Sequence, residues 1–260
     1  MNQLITKPFD RSLISGSLYE AEYSVRTSDN YSTDLLELVS RRSCSTSAID
    51  IGCGIGLGIN ALSKFYQHIY ACDISKNYLD YGLHRGYLNK KNSFLLDFSS
   101  KISVDQLKCN LTVPCDLYSL FCTINYLTSK ASVIRFICNA QMVSLGGLCI
   151  FQYWNSDLIS PKSPHFTTYS LESSFNNVGH ECEILVNRYT VWTENLASEF
   201  KTYLIHSLDD GNILPIGNLN KYHLWDNDFI EKTLNSIFSS VDYIVPHNGI
   251  NKSYKIAICQ

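Results

Sequence analysis

Asp50-Ile-Gly-Cys-Gly-Ile-Gly-Leu-Gly58 decides how this chain folds. An apolar approach, Ala48-Ile49, precedes it, and an apolar, helix-compatible segment, Ile59-Asn-Ala-Leu-Ser-Lys-Phe65, follows. Strand, glycine turn and helix in that order let a loop pass close beneath a bound nucleoside. Side chains at Gly52, Gly54 and Gly56 would block that approach, and glycine alone takes positive φ freely. Alone the pattern is unspecific, because dinucleotide-binding folds use a similar turn.

The acids that follow sharpen the reading. From Asp50 to Asp73 is 23 residues, and from Asp73 to Asp97 is 24. Each ends a short apolar run, and one strand, one helix and two turns take about that length. The acids therefore fall at successive carboxyl ends of parallel strands, the edge where open α/β sheets bind ligands. Asp73 is placed to chelate ribose hydroxyls, and Asp97, with Phe98 beside it, to meet an adenine amino group and ring face.

These motifs resemble those of the class I S-adenosylmethionine-dependent methyltransferases. Cys115-Asp-Leu-Tyr-Ser-Leu-Phe-Cys-Thr-Ile-Asn-Tyr-Leu127 is similar to the family's fourth strand, which begins with an acid and ends over the cofactor. Leu145-Gly-Gly-Leu-Cys-Ile-Phe151 is similar to its Gly-Gly turn into the fifth strand. The resemblance implies S-adenosyl-L-methionine as cofactor and S-adenosyl-L-homocysteine as product. It implies cofactor contacts from Asp50 and the three loop glycines, from Asp73 with Ile74, from Asp97 with Phe98, and from Leu120 and Phe121. An NAD-dependent oxidoreductase would use Asp73 similarly but does not call for Asp97-Phe98 or the Leu120-Phe121 segment.

Composition fits a soluble enzyme. The net charge of −3 and pI near 6.1 leave no basic face for nucleic acid. No run of 18 apolar residues suggests a membrane span, and Met1 to Pro8 lacks a signal-peptide pattern. Most of the ten cysteines lie singly in apolar runs, without the spacing of a zinc site, so no metal is expected. Buried reduced thiols point to a cytoplasmic protein.

Residues 1–45 are expected to form a helical cap, with an amphipathic helix over Asp34–Val39. Residues 46–155 form the nucleoside-binding core. Residues 156–225 change character: Cys182–Trp192 and Glu199–His206 read as antiparallel strands, and Asp209-Asp-Gly-Asn212 as a hairpin turn. Residues 226–260 read as a helix from Asp226, its N-cap, to Phe238, then strands Val241–Val245 and Tyr254–Cys259. The expected fold is α/β: a Rossmann-like class I methyltransferase sheet, mainly parallel with an antiparallel closing strand, a helical cap and a β-rich insertion after strand five. The element order resembles that of small-molecule methyltransferases, including those that N-methylate amino sugars on nucleotides. There, Lys221–Trp225 would end the last inserted strand and His247–Asn251 form the closing turn.

Methyl transfer is an in-line displacement from a sulfonium, so positioning supplies most of the acceleration, and aromatic faces near the cation help. The related enzymes place tyrosines as a lid, which makes Tyr19, Tyr23 and Tyr31 candidates, Tyr23 for the cofactor and Tyr19 for the acceptor. The acceptor must lose a proton. Amino-sugar enzymes of this type carry a histidine after the fourth strand, where this chain has Ile124-Asn125-Tyr126-Leu127. Tyr126, a poorer base at neutral pH, and His165 are the catalytic candidates. Asn125, Trp154, His206 and His223 are candidates for the acceptor site.

The function expected is methyl transfer to an amine or hydroxyl of a small molecule, a sugar or natural-product precursor. The alternatives are a regulatory protein that binds the cofactor without catalysis, and a protein or nucleic-acid methyltransferase. Against the last, Ser119-Leu-Phe-Cys122 stands where base N-methyltransferases carry Asn/Asp-Pro-Pro-Tyr/Phe. Neither nucleic acid nor membrane is an expected partner; a homodimer is possible.

Overall fold

The computed structural model describes residues 16–23, 32–100, 104–105, 107, 111, 113–159, 164–173, 182–207, 213–244 and 253–260. Tyr31, the Asp209–Asn212 turn and the His247–Asn251 turn fall outside the described residues. The chain opens with α1 (residues 16–23) and α2 (Thr33–Arg42). Ser32 caps α2 by accepting from the Leu35 amide, and Asp34 and Arg41–Arg42 complement the helix dipole at its two ends.

A seven-stranded sheet follows: β1 (Ser47–Ile51), β2 (His68–Asp73), β3 (Ser93–Leu95), β4 (Cys115–Ser119), β5 (Cys149–Trp154), β10 (Val241–Ile244) and β11 (Tyr254–Cys259). Its order is β10-β11-β5-β4-β1-β2-β3, and β11 alone runs opposite to the other six strands. β1, β4 and most of β5 are buried on both faces, as strands covered by helices on two sides must be. The helices are α3 (Ile59–Leu62), α4 (Lys76–His84), α5 (Lys130–Ser144) and α6 (Asn227–Ile237). Asp226 caps α6 through the Asp228 amide at 2.8 Å. The acids stand where their spacing placed them: Asp50 near the end of β1, Asp73 at the last residue of β2, Asp97 just beyond β3.

Between β5 and α6 lies a separate four-stranded antiparallel sheet: β6 (His165–Ser173), β7 (Cys182–Thr193), β8 (Leu196–Ser207) and β9 (Ile213–His223). It begins beside the carboxyl ends of the main sheet and roofs them. The described cysteines are free, and no described helix is long and apolar enough to cross a membrane.

Gly82 on α4 was not singled out by the sequence, yet a Cβ there would lie 2.3 Å from the Ile55 carbonyl oxygen. The glycine turn rests directly on α4 at this point. Gly82→Val should therefore cost about 1–3 kcal/mol of stability, the scale of core overpacking, measurable by denaturant unfolding.

Candidate active-site cavity

Gly52, Gly54 and Gly56 take φ of +71°, +57° and +90°, so the turn demands glycine on backbone grounds. Its path is pinned to β2. The Gly52 and Cys53 amides donate to the Cys72 carbonyl at 2.8 and 3.1 Å. The Gly54 amide donates to one carboxylate oxygen of Asp73, and the Ser75 amide to the other, each at 2.8 Å. Burial raises the Asp73 carboxyl above the ordinary range, and those backbone donors work against the rise. Ser75, not Asp73, caps α4.

The packing gives a further reason for bare glycines. A Cβ at Gly52 would meet the Thr123 side chain at 2.5 Å, one at Gly54 the Tyr19 hydroxyl at 3.0 Å, and one at Gly56 the Leu88 side chain at 2.4 Å. The turn makes room for the protein's own side chains, and Gly56 does not line the cavity.

A cavity of about 640 Å³ lies over this edge. Gly52, Gly54, Asp73, Ile74, Asp97 and Phe98 line its main-sheet side. Ile74 is 71% exposed, an apolar face left open beside Asp73, and Asp97 accepts from the Ser99 amide at 2.8 Å. The insertion sheet contributes Arg188, Glu199, Lys201, Asn218, Asn220 and Tyr222. Phe121 and Cys122 follow β4 with φ of +55° and +56°. Two successive non-glycine residues in this region store strain, of order 1–3 kcal/mol each, and Phe121 joins the wall.

Helix α1 closes the space by using three faces, because successive residues turn by about 100°. Tyr19 and Tyr23 stack at 4.5 Å and line the cavity. Glu20 turns to the core, accepting from Arg85 at 3.0 Å and from the Tyr81 and Tyr87 hydroxyls. Leu18 and Glu22 turn to the insertion sheet. Leu18 packs with Ile184, Val186, Tyr203 and Ile205. Glu22 pairs with Lys201 and accepts from the Tyr169 and Tyr203 hydroxyls at 2.9 Å. Lys201 also meets Glu199 at 3.2 Å, and Glu199 pairs with Arg188. Burial pushes the Glu199 carboxyl up, but Lys201, Arg188 and a hydrogen bond from Tyr222 outweigh it and hold it below the usual range.

Several expected site residues lie elsewhere. Asp50 is wholly buried within β1, and Leu120 is a core residue packed with Leu36 and Ile150; neither lines the cavity. Asn125 touches the cavity, but its amide is spent on backbone, donating to the His223 carbonyl at 2.6 Å and accepting from the Trp154 amide at 3.2 Å. His206 sits 3.9 Å from Glu183 outside the cavity. His223 stacks on Trp225 at 4.8 Å, also off the cavity wall. Trp154 does line it, packed edge-on against Tyr222 at 4.9 Å. Tyr126 lines it as well and packs on Tyr222 at 5.7 Å. Its exposed surface is open to the cavity, and burial, with Tyr23 and Glu199 nearby, raises its hydroxyl well above the usual tyrosine value. His165 opens β6 instead of lying in a loop, in register with Thr190, Glu199 and Asn220; its side chain is outside the described set.

Glu22, Arg188, Glu199 and Lys201 escaped the sequence reading. The signal was present in β8, where charged Glu199 and Lys201 alternate with apolar or neutral neighbours, but alternation alone leaves open which face is buried.

The chain has the fold of the class I S-adenosylmethionine-dependent methyltransferases. It is similar to CalS10 of Micromonospora echinaspora, an amino pentose methyltransferase involved in calicheamicin biosynthesis, with TM-score 0.69 and 10% identity over 95% of this chain and 97% of that one. DesVI of Streptomyces venezuelae gives 0.69 and 12% over 95% of each chain. The sugar N-methyltransferase KedS8 of a Streptoalloteichus species gives 0.68 and 12% over 94% of each. No protein-family model matches the chain, and no curated protein does.

Two substitutions probe the site. Asp73→Ala frees the Gly54 amide and removes the acid at the end of β2, so nucleoside affinity should fall by about 1–3 kcal/mol in calorimetric titration. Because burial raises this carboxyl, wild-type affinity should also decline on acidification at a higher pH than an ordinary aspartate would give, and Asp73→Asn should lack that decline. Lys201→Met leaves Glu22 and Glu199 buried without their shared cation, and should lower unfolding stability by about 3–5 kcal/mol.

Proposed function

We propose that the protein is an S-adenosylmethionine-dependent methyltransferase acting on a small molecule, at an amine or hydroxyl of a sugar or natural-product precursor. One observation carries this reading: a single cavity joins a nucleoside-type edge (Asp73, Ile74, Asp97, Phe98) to a polar, aromatic wall on the inserted sheet. The sugar N-methyltransferase and amino pentose methyltransferase that share the fold favour a polar acceptor of sugar size.

The residues fit the cofactor. Asp73 keeps lone pairs for ribose hydroxyls beyond the two it uses on backbone amides. Asp97 stands ready for the adenine amino group, with Ile74 and Phe98 as apolar faces for the ring. Tyr19, Tyr23 and Phe121 supply aromatic surface suited to a sulfonium. When bound, S-adenosylmethionine supplies an electrophilic methyl group. The protein's own work is then to hold the acceptor nucleophile in line, exclude water and accommodate the released proton.

On the acceptor side, Trp154 and Tyr222 offer ring faces to apolar edges, while Asn218, Asn220 and Arg188 offer hydrogen bonds. Tyr126 remains protonated at neutral pH, so it orients the acceptor by donating or packing and does not remove its proton. His165 is proposed for that task, since its register puts it in the strand row of Glu199 and Asn220.

The activity is tested by mass detection of S-adenosylhomocysteine and methylated product with amino-sugar and polyol acceptors. Turnover is expected; tight cofactor binding with no turnover across the acceptor set would instead favour a regulatory protein. In single-turnover assays, His165→Ala should lose about 10²–10⁴-fold, the scale of general-base catalysis. The ratio of wild-type to Tyr126→Phe rates should stay constant from pH 7 to about 9.5. A ratio rising with pH would mean that ionised Tyr126 is the base.

A further inference from the structure

Where α1 meets the inserted sheet, four charged side chains stand in a series of alternating sign: Glu22, Lys201, Glu199, Arg188. Both inner members have a partner of opposite sign on each side. Lys201 lies between Glu22 and Glu199, and Glu199 between Lys201 and Arg188. Glu22 ends the series on α1, where the Tyr169 and Tyr203 hydroxyls complete its hydrogen bonds.

The other end is open. Arg188 pairs with Glu199 through Nε, and among the described residues it has no second carboxylate. Its side chain is 31% exposed, against 2% for Glu199 and Lys201, and it lines the cavity. A guanidinium carries five N–H donors in a rigid fork, so the Nη edge keeps donors for a ligand.

The fork is also placed in relation to the reacting centre. Arg188 stands opposite Lys201 in register, yet it leaves that row to reach Glu199, two residues earlier on β8. In the row beyond, the small, wholly buried Ala197 separates Trp192 from Tyr222. The Tyr222 hydroxyl donates to Glu199 and accepts from Arg188. The Tyr222 ring packs edge-on against Trp154 and Tyr126. One tyrosine thus spans from the fork to the end of the cavity where the acceptor is placed.

We propose that Arg188 is an anion subsite of the acceptor pocket: the acceptor carries a carboxylate, which the Nη edge binds. Its reacting atom then lies at the far end of the Tyr222 side chain, beside Tyr126 and Trp154. This deepens the methyl-transfer reading and rests on it. The fork matches both oxygens of a carboxylate in one plane. Glu199 and Tyr222 fix that plane in advance, so little freedom is lost on binding. The bound carboxylate completes the alternation, with the guanidinium between it and Glu199. A phosphate would bring a second negative charge to a single open fork, while Lys201 is already enclosed by two carboxylates. The acceptor class that follows is a sugar acid or an amino acid.

The test uses matched acceptors. One set is glucosamine, its uronic acid and its 6-phosphate; the other is serine and serinamide. Binding is read by calorimetric titration of the full chain loaded with S-adenosylhomocysteine, and turnover by mass detection of methylated product. Each carboxylic acid should bind about 10–100-fold more tightly than its neutral partner, the scale of hydrogen bonds to a charged group. Arg188→Lys keeps a cation beside Glu199 but loses the fork, and should shrink that preference to about threefold or less. It should keep the wild-type circular dichroism spectrum and S-adenosylhomocysteine affinity. Arg188→Gln should abolish the preference. Acids that bind no better than their neutral partners overturn the subsite, as does a preference that both folded variants retain. Tightest binding by the phosphate overturns the choice of carboxylate. Acid-selective binding without turnover supports the subsite and counts against methyl transfer, so the two readings fail separately.

Discussion

A lysine ammonium held between two carboxylates, away from water, is the contact on which the rest of this structure depends. Lys201 is 2% exposed and pairs with Glu22 from α1 and with Glu199 from its own strand. Taking such charges out of water costs several kcal/mol per ion unless partners and hydrogen bonds are in place. Here they are: Arg188, Tyr169, Tyr203 and Tyr222 complete the set. The arrangement has one consequence for shape. It fastens α1 to the insertion sheet, while Glu20 on another face of the same helix fastens it to α4. Tyr19 and Tyr23 are thereby held over the glycine turn.

The same cluster fixes the polarity of the inserted sheet. A strand has two faces and a period of two, so committing Glu199 and Lys201 inward sends Phe200 outward. At the middle rows this phase buries charge and exposes Phe200, while further along the same inner face it packs Ile184, Val186, Tyr203 and Ile205 against Leu18. The buried charges line the cavity, and Glu22 on α1 supplies the counter-charge that accompanies Lys201 there. The polar cavity wall and the exposed Phe200 are two results of one choice of phase.

The main sheet was legible because its signals are local and repeated. Each strand-helix unit takes a similar length, so the spacing of Asp50, Asp73 and Asp97 marked three strand ends. Side-chain caps such as Asp226 mark helix starts within a few residues. Other features depend on partners distant in sequence. Nothing near Glu199 announces Glu22, 177 residues earlier, and nothing near Gly56 announces Leu88. The histidines illustrate the same limit: His206 and His223 sit on inserted strands as expected, yet register and turn geometry carry both away from the cavity. Asn125 was recognised as a polar residue at the right place, but its role is to tie β5 to β9, which only the fold reveals.

The central claim is that one cavity holds the nucleoside of S-adenosylmethionine against the main sheet and the acceptor against the inserted one. Its most direct test is a crystal structure with S-adenosylhomocysteine. The ribose hydroxyls are expected on Asp73, the adenine between Ile74 and Phe98 with its amino group toward Asp97, and the sulfur facing Tyr126 and Trp154. Nucleoside density elsewhere on the protein, or a sulfur turned away from the Arg188–Glu199 wall, would contradict the account.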